Sequence, residues 1–156
     1  MTRSLDEIRR DFDVLSAKDF NPENPGAEGI QRLSSLTGEL IALDVPSESA
    51  ELLLRFIERS SSFEGIDPRF DLGTPGPLVH TLERLQNYRE HLVSSVQRQP
   101  TPLTVWMVNR VINGAEDQDQ RELWLVLLRK CQSHPRSSSA TREEVEEFLR
   151  FQSKPG

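Results

Sequence analysis

Three histidines and a single cysteine are the residues best suited to nucleophilic, acid–base or metal chemistry, and their spacing decides what they can do. His80 and His91 are eleven positions apart. In one helix that places them on a shared face but about 16 Å apart along the axis, too far for one ion to bridge. The i, i+4 histidine pair of helical zinc sites does not occur. Cys131 falls on an apolar stripe, where a thiol usually packs rather than reacts, and His134 lies beyond the helix end marked by Pro135. A lone cysteine supplies neither a disulfide framework nor a cysteine metal cluster. Gly73-Thr74-Pro75-Gly76-Pro77 has the glycines of a phosphate loop, but its prolines remove the amide donors such a loop needs. The expectation is a protein that is not an enzyme and takes no cofactor or metal.

Residues suited to binding are easier to find. Glu64, Asp67 and Asp71 lie in a stretch rich in Asp, Gly and Pro from Phe63 to Leu72. That stretch is long for a helix–helix connection, and loops on a rigid scaffold often carry contacts. Glu116, Asp117 and Asp119 follow Gly114, where a helix dipole already favours acids in the first turn. Glu143, Glu144, Glu146 and Glu147 crowd the last segment. Trp106, Asn109, Arg110 and Asn113, at i, i+3, i+4 and i+7, make one polar stripe on an otherwise apolar helix. Two uses compete for it: an Arg beside a Trp is a common binding hot spot, whereas Asn and Arg inside a helical stack tie neighbouring turns together.

The elements that must position these residues read as about seven helices and no strand. Ser4-Leu5-Asp6-Glu7 is a capping box, followed by Leu5, Ile8, Phe12 and Leu15 at helical spacing up to the turn cluster Asn21–Gly26. A second helix runs from about Ala27 to Leu43 with Ile30, Leu33, Leu36, Leu40 and Ile41 inward, and Gly38 weakens its middle. Pro46 opens a third, carrying Leu52, Leu53, Phe56 and Ile57. Thr74-Pro75 starts a fourth that continues for about six turns to Pro100, through Leu78, Leu82, Leu85, Leu92 and Val96. Thr101-Pro102 starts a fifth, apolar nearly all round and ended by Asn113-Gly114, which belongs in the middle of a bundle or solenoid. Asp117 opens a sixth with Leu123, Trp124, Leu127, Leu128 and Cys131 inward, and Thr141-Arg142-Glu143-Glu144 caps a short seventh. The expected fold is one all-α domain over residues 1–156, either an irregular α-α superhelix of HEAT or armadillo type or a compact helical bundle.

Composition narrows the partners. Of 156 residues 28% are charged, and the formal net charge is −6. Residues 1–71 hold 15 acids against 8 bases, whereas 72–156 hold 10 against 11. Such a chain repels phosphate backbones, so no nucleic-acid ligand is expected, and its field favours basic partners. MTRSLDEIRR lacks the apolar core of a signal peptide and no apolar run spans a bilayer, so no membrane association and a cytoplasmic location are expected.

One stretch resembles a known family. DLGTPGPLVHTLERL and RQPTPLTVWMVNRVING, between Asp71 and Gly114, resemble small HEAT-like immunity proteins of bacterial polymorphic toxin systems. The similarity covers about a third of the chain and rests on Thr74-Pro75 with Leu78-Val79-His80, then Pro100-Thr101, Val105-Trp106-Met107, Asn109-Arg110 and Ile112-Asn113. It implies an inhibitor that binds a cognate toxin, expected to be basic and nuclease-like, and blocks its active site. The matched positions read as scaffold. The surface expected to meet the partner is Glu64, Asp67, Asp71, Trp106, Arg110, Glu116, Asp117 and Asp119. The alternative is a helical scaffold or adaptor that binds another protein or a peptide.

Overall fold

The computed structural model describes residues 3–67, 71–73 and 76–154. Among these residues it is all-helical, with eight α-helices and no strand. Contacts group the chain into two compact units, residues 1–91 and 92–156.

The first unit begins as the capping box dictates. Ser4 Oγ accepts the Glu7 amide, and α1 (Leu5–Asp13) buries Ile8 and Phe12. It ends sooner than the apolar spacing implies: the chain turns after Asp13 and forms a short 3-10 helix at Ala17–Asp19. Leu15 is still buried, but from the turn. Two carbonyls at this helix end, that of Phe12, which also accepts the Leu15 amide, and that of Leu15, accept from Arg59 at 2.7 and 3.0 Å. The helices α2 (Gly29–Leu43), α3 (Pro46–Ser60) and α4 (Gly76–Arg84) complete the unit. α2 packs on α1 and α4, and α3 touches all three. Gly29 opens α2 because nothing larger fits: a Cβ there would stand 2.5 Å from the Asp19 carbonyl and 2.6 Å from the Phe20 ring. Leu33, Leu36 and Leu40 face inward as expected, but Ile30 is 41% exposed. Arg3 ties α1 to α2 through a bidentate pair with Glu39 at 2.8 and 2.9 Å and a second bond to Asp11.

The six-turn fourth helix is two helices. α4 stops at Arg84, and α5 (Tyr88–Arg98) starts after Asn87, whose φ is +63°. Asn tolerates this left-handed conformation better than most residues. The apolar spacing from Leu82 and Leu85 to Leu92 stays in helical phase across the break, so periodicity alone hides it. Thr74 and Pro75, read as the start of this helix, and Phe70, expected with Phe63 and Ile66 to pin the preceding loop to the core, lie outside the described residues.

The boundary between the units falls inside α5, whose Leu92, Ser95 and Val96 are buried. The second unit adds α6 (Pro102–Asn113), α7 (Gln118–Gln132) and α8 (Ser139–Gln152), each packed against the other two. Thr101 caps α6 as expected, accepting the Thr104 amide at 3.1 Å, and this helix is buried nearly all round. On α7 the inward residues are Leu125, Leu128 and Cys131, with Trp124 and Leu127 half-buried. Leu123, expected inside, is 71% exposed. The run Leu123–Leu128 puts apolar residues on every side of the helix, so spacing could not choose the inward one. α8 starts one turn before the expected capping box, with Ser138 accepting the Thr141 amide and Thr141 itself buried. No helix among the described residues is long and apolar enough to cross a membrane.

Candidate partner-binding surface

The expected loop of acids belongs to the first unit. Its near end is held by aromatic packing: the rings of Phe20, Phe56 and Phe63 meet pairwise with centroids 6.2 Å apart, and the Arg59 guanidinium lies 5.3 Å from both Phe56 and Phe63. Gly65 turns the chain at φ +77°, a conformation that favours glycine. The far end is closed by a reciprocal pair: the Asp67 amide donates to Asp71 Oδ2 and the Asp71 amide to the Asp67 carbonyl, both at 2.8 Å. Leu72, buried, fixes the exit. Glu64 is exposed, and Asp67 and Asp71 are half-buried. Asp71 thus shapes the loop as well as charging it.

Asp71 borders a cavity of about 400 Å³ that the sequence did not reveal. Its other walls include Asp19, Asn21, Pro22 and Asn24 from the turn before α2, and Ile30 from the first turn of α2. The turn is internally braced. Asn21 Oδ1 accepts the Glu23 amide, and Asn24 Oδ1 accepts the Gly26 amide while its Nδ2 donates to the Lys18 carbonyl. Asp19 Oδ2 accepts the Ser16 amide at 2.8 Å, and its other oxygen is 3.9 Å from Arg32. Two carboxylates, two amides and an exposed isoleucine therefore share one rim, able to take a cation at one side and an alkyl stem at the other. Asp19 was missed because a continuous first helix was expected to run past it. The Ser16-x-x-Asp19 spacing, the same as at Ser4-x-x-Glu7, was the available signal.

The other expected groups lie in the second unit. The polar stripe of α6 divides. Asn109 and Asn113 both accept from Gln152 Nε2, at 2.8 and 2.7 Å, and Gln152 Oε1 accepts from Arg121 at 2.9 Å. These amides join α6 to the end of α8. Trp106, half-buried, and Arg110, exposed, stay at the surface with the guanidinium 5.0 Å from the indole. Among the acids after Gly114, Asp117 is the N-cap of α7, accepting the Gln120 amide at 2.7 Å. Glu116 and Asp119 are exposed.

The groups first considered for chemistry go elsewhere. Cys131 is buried, and burial pushes its thiol up to about 11. His134 does not face it. The ring Nε2 meets the Gln97 carbonyl at 2.8 Å and Nδ1 accepts the Arg136 amide at 3.0 Å, which makes Nε2 the protonated nitrogen. His80 is exposed, and His91 is half-buried with Nδ1 3.9 Å from Glu51. Among the described residues no three His, Cys, Asp or Glu side chains are grouped to hold a metal. Compared with family models, curated proteins and solved structures, the chain matches none.

Proposed function

We propose that this protein is an immunity-type inhibitor that binds a cognate bacterial toxin domain and occludes its active site. The observation that carries the reading is the cavity rimmed by Asp19, Asp71, Asn21 and Asn24, with Pro22 and Ile30 beside them. Lys or Arg from a basic partner fits such a rim, its charge meeting the carboxylates and its methylene stem the apolar wall. The surrounding field assists: residues 1–91 hold 17 acids against 10 bases, whereas 92–156 hold 8 against 9. Glu64 and Asp67 extend the acidic surface along the loop. Trp106 with Arg110, and Glu116, form a second contact surface in residues 92–156. The resemblance of Asp71–Gly114 to helical immunity proteins supplies the class of partner.

The test is co-expression with the toxin encoded beside the gene. Wild-type protein is expected to restore growth and to co-purify with the toxin domain. Asp19→Lys with Asp71→Lys is expected to lose both while keeping its helical circular dichroism. Absence of any complex with the wild type, or full protection by the charge-reversed variant, overturns the reading. Capture of a basic peptide without protection would instead favour an adaptor.

A further inference from the structure

The outward side of α7 carries an order that packing within its unit does not explain. α7 meets α6 and α8 through the side that holds Leu125, Leu128 and Cys131. Turned away are Asp119, Leu123, Val126 and Lys130, separated by four, three and four positions. That is the spacing of the seam positions of a coiled coil, and it keeps these side chains on one face. The two apolar members are 71% and 39% exposed. Among the described residues neither the Asp119 carboxylate nor the Lys130 ammonium has an ion-pair or hydrogen-bond partner. The Glu122–Arg129 pair, at 3.1 Å, runs beside Val126 and leaves the seam itself open.

The order is symmetric about its centre. Asp119 and Lys130 lie equally far, about 8 Å, on either side of the midpoint between Leu123 and Val126. A second copy of this helix laid antiparallel, with a two-fold axis at that midpoint, sets each Asp119 against the other copy's Lys130. It also sets each Leu123 against the other copy's Val126. A parallel arrangement would instead oppose Asp119 to Asp119 and Lys130 to Lys130. The charges therefore select one partner, one orientation and a closed pair.

We propose that the outward face of α7 joins two copies of this protein in an antiparallel, two-fold dimer. The contact is small. A 15-residue helix is about 22 Å long, and two of them bury no more than the low end of stable interfaces, about 1,200 Å². The association is accordingly weak and concentration-dependent. It is independent of the toxin-binding proposal, whose carrying observation lies in residues 1–91, and it assigns Asp119 to the dimer seam rather than to the toxin-facing acids.

Sedimentation velocity on the full chain, from about 10 µM to about 1 mM at low salt, reads this equilibrium directly. The wild type is expected to shift from monomer towards dimer over that range. Asp119→Lys alone, or Lys130→Asp alone, is expected to weaken association by about tenfold or more, because the two-fold axis makes each reversal turn two close charge pairs into repulsions. The double reversal is expected to restore it. Each reversal also opposes the dipole of α7, so thermal stability falls further in the double variant while association returns. Structural damage alone would move both readings the same way. A wild type that stays monomeric throughout overturns the proposal. Single reversals without effect, or a double reversal that does not recover, overturn it equally.

Discussion

Arg3, Arg59, Cys131 and His134 show how single side chains settle what residue types leave open. Arg59 closes the end of α1 and clamps the aromatic cluster under the acidic loop. Nothing in its sequence context marks it, because its partners are carbonyls more than forty positions away. Cys131, by contrast, was legible as packing from the stripe it occupies. Its buried thiol, raised to about 11, is expected to resist a disulfide probe at neutral pH in the native state and to react promptly in denaturant. Rapid native labelling would contradict this. Glu39 gives the pH prediction. Its bidentate bond to Arg3 holds the carboxyl below its ordinary value of 4.5. A carboxyl lowered by folding contributes stability above its unfolded value, and that contribution disappears as pH falls through the lower, folded value. Denaturant unfolding should therefore show Glu39→Gln less stable than wild type at pH 7, with the gap closing below pH 4.5. A gap unchanged into acid would mean that the pair does not stabilise the fold.

At the level of elements, capped helix starts were the most legible feature and helix interruptions the least. Ser4, Thr101 and Asp117 cap where the sequence placed them, because a cap is a local hydrogen bond between residues a few positions apart. The α4–α5 break and the early end of α1 escaped because hydrophobic phase continues across both. Asn87 is the testable point of the break. At φ +63° a β-branched residue is strained, so Asn87→Val is expected to cost about 1–2 kcal/mol, while Asn87→Gly costs little. Urea unfolding distinguishes these outcomes, and equal stability of the two variants would refute the left-handed turn. Gly38 offers the opposite change in the same assay. It lies inside α2 with open space where a Cβ would go, so Gly38→Ala should stabilise by about 0.5–1 kcal/mol.

Across the whole molecule, the distribution of charge was readable from the sequence, but the cavity that concentrates it was not. Asp71 was singled out in its loop. Its cavity neighbours Asp19 and Ile30 come from other segments, joined only because Gly29 lets the turn at Asp19 and Phe20 approach α2. The excess of acids in residues 1–91 makes a kinetic prediction for the proposed toxin complex. Opposite charges accelerate encounter over distances comparable with the Debye length, which shrinks from about 14 Å at 50 mM salt to about 4 Å at 500 mM. Dissociation depends mainly on contacts already desolvated, and these are screened far less. Stopped-flow mixing of the two proteins should therefore show association slowing about tenfold or more over that range, with dissociation changing little. Glu64→Lys, exposed and outside the cavity rim, should slow association with little effect on dissociation. Asp71→Lys, on the rim and part of the loop closure, should raise both the association barrier and the dissociation rate. An association rate indifferent to salt would show that this surface does not steer the partner, whatever holds the complex once formed.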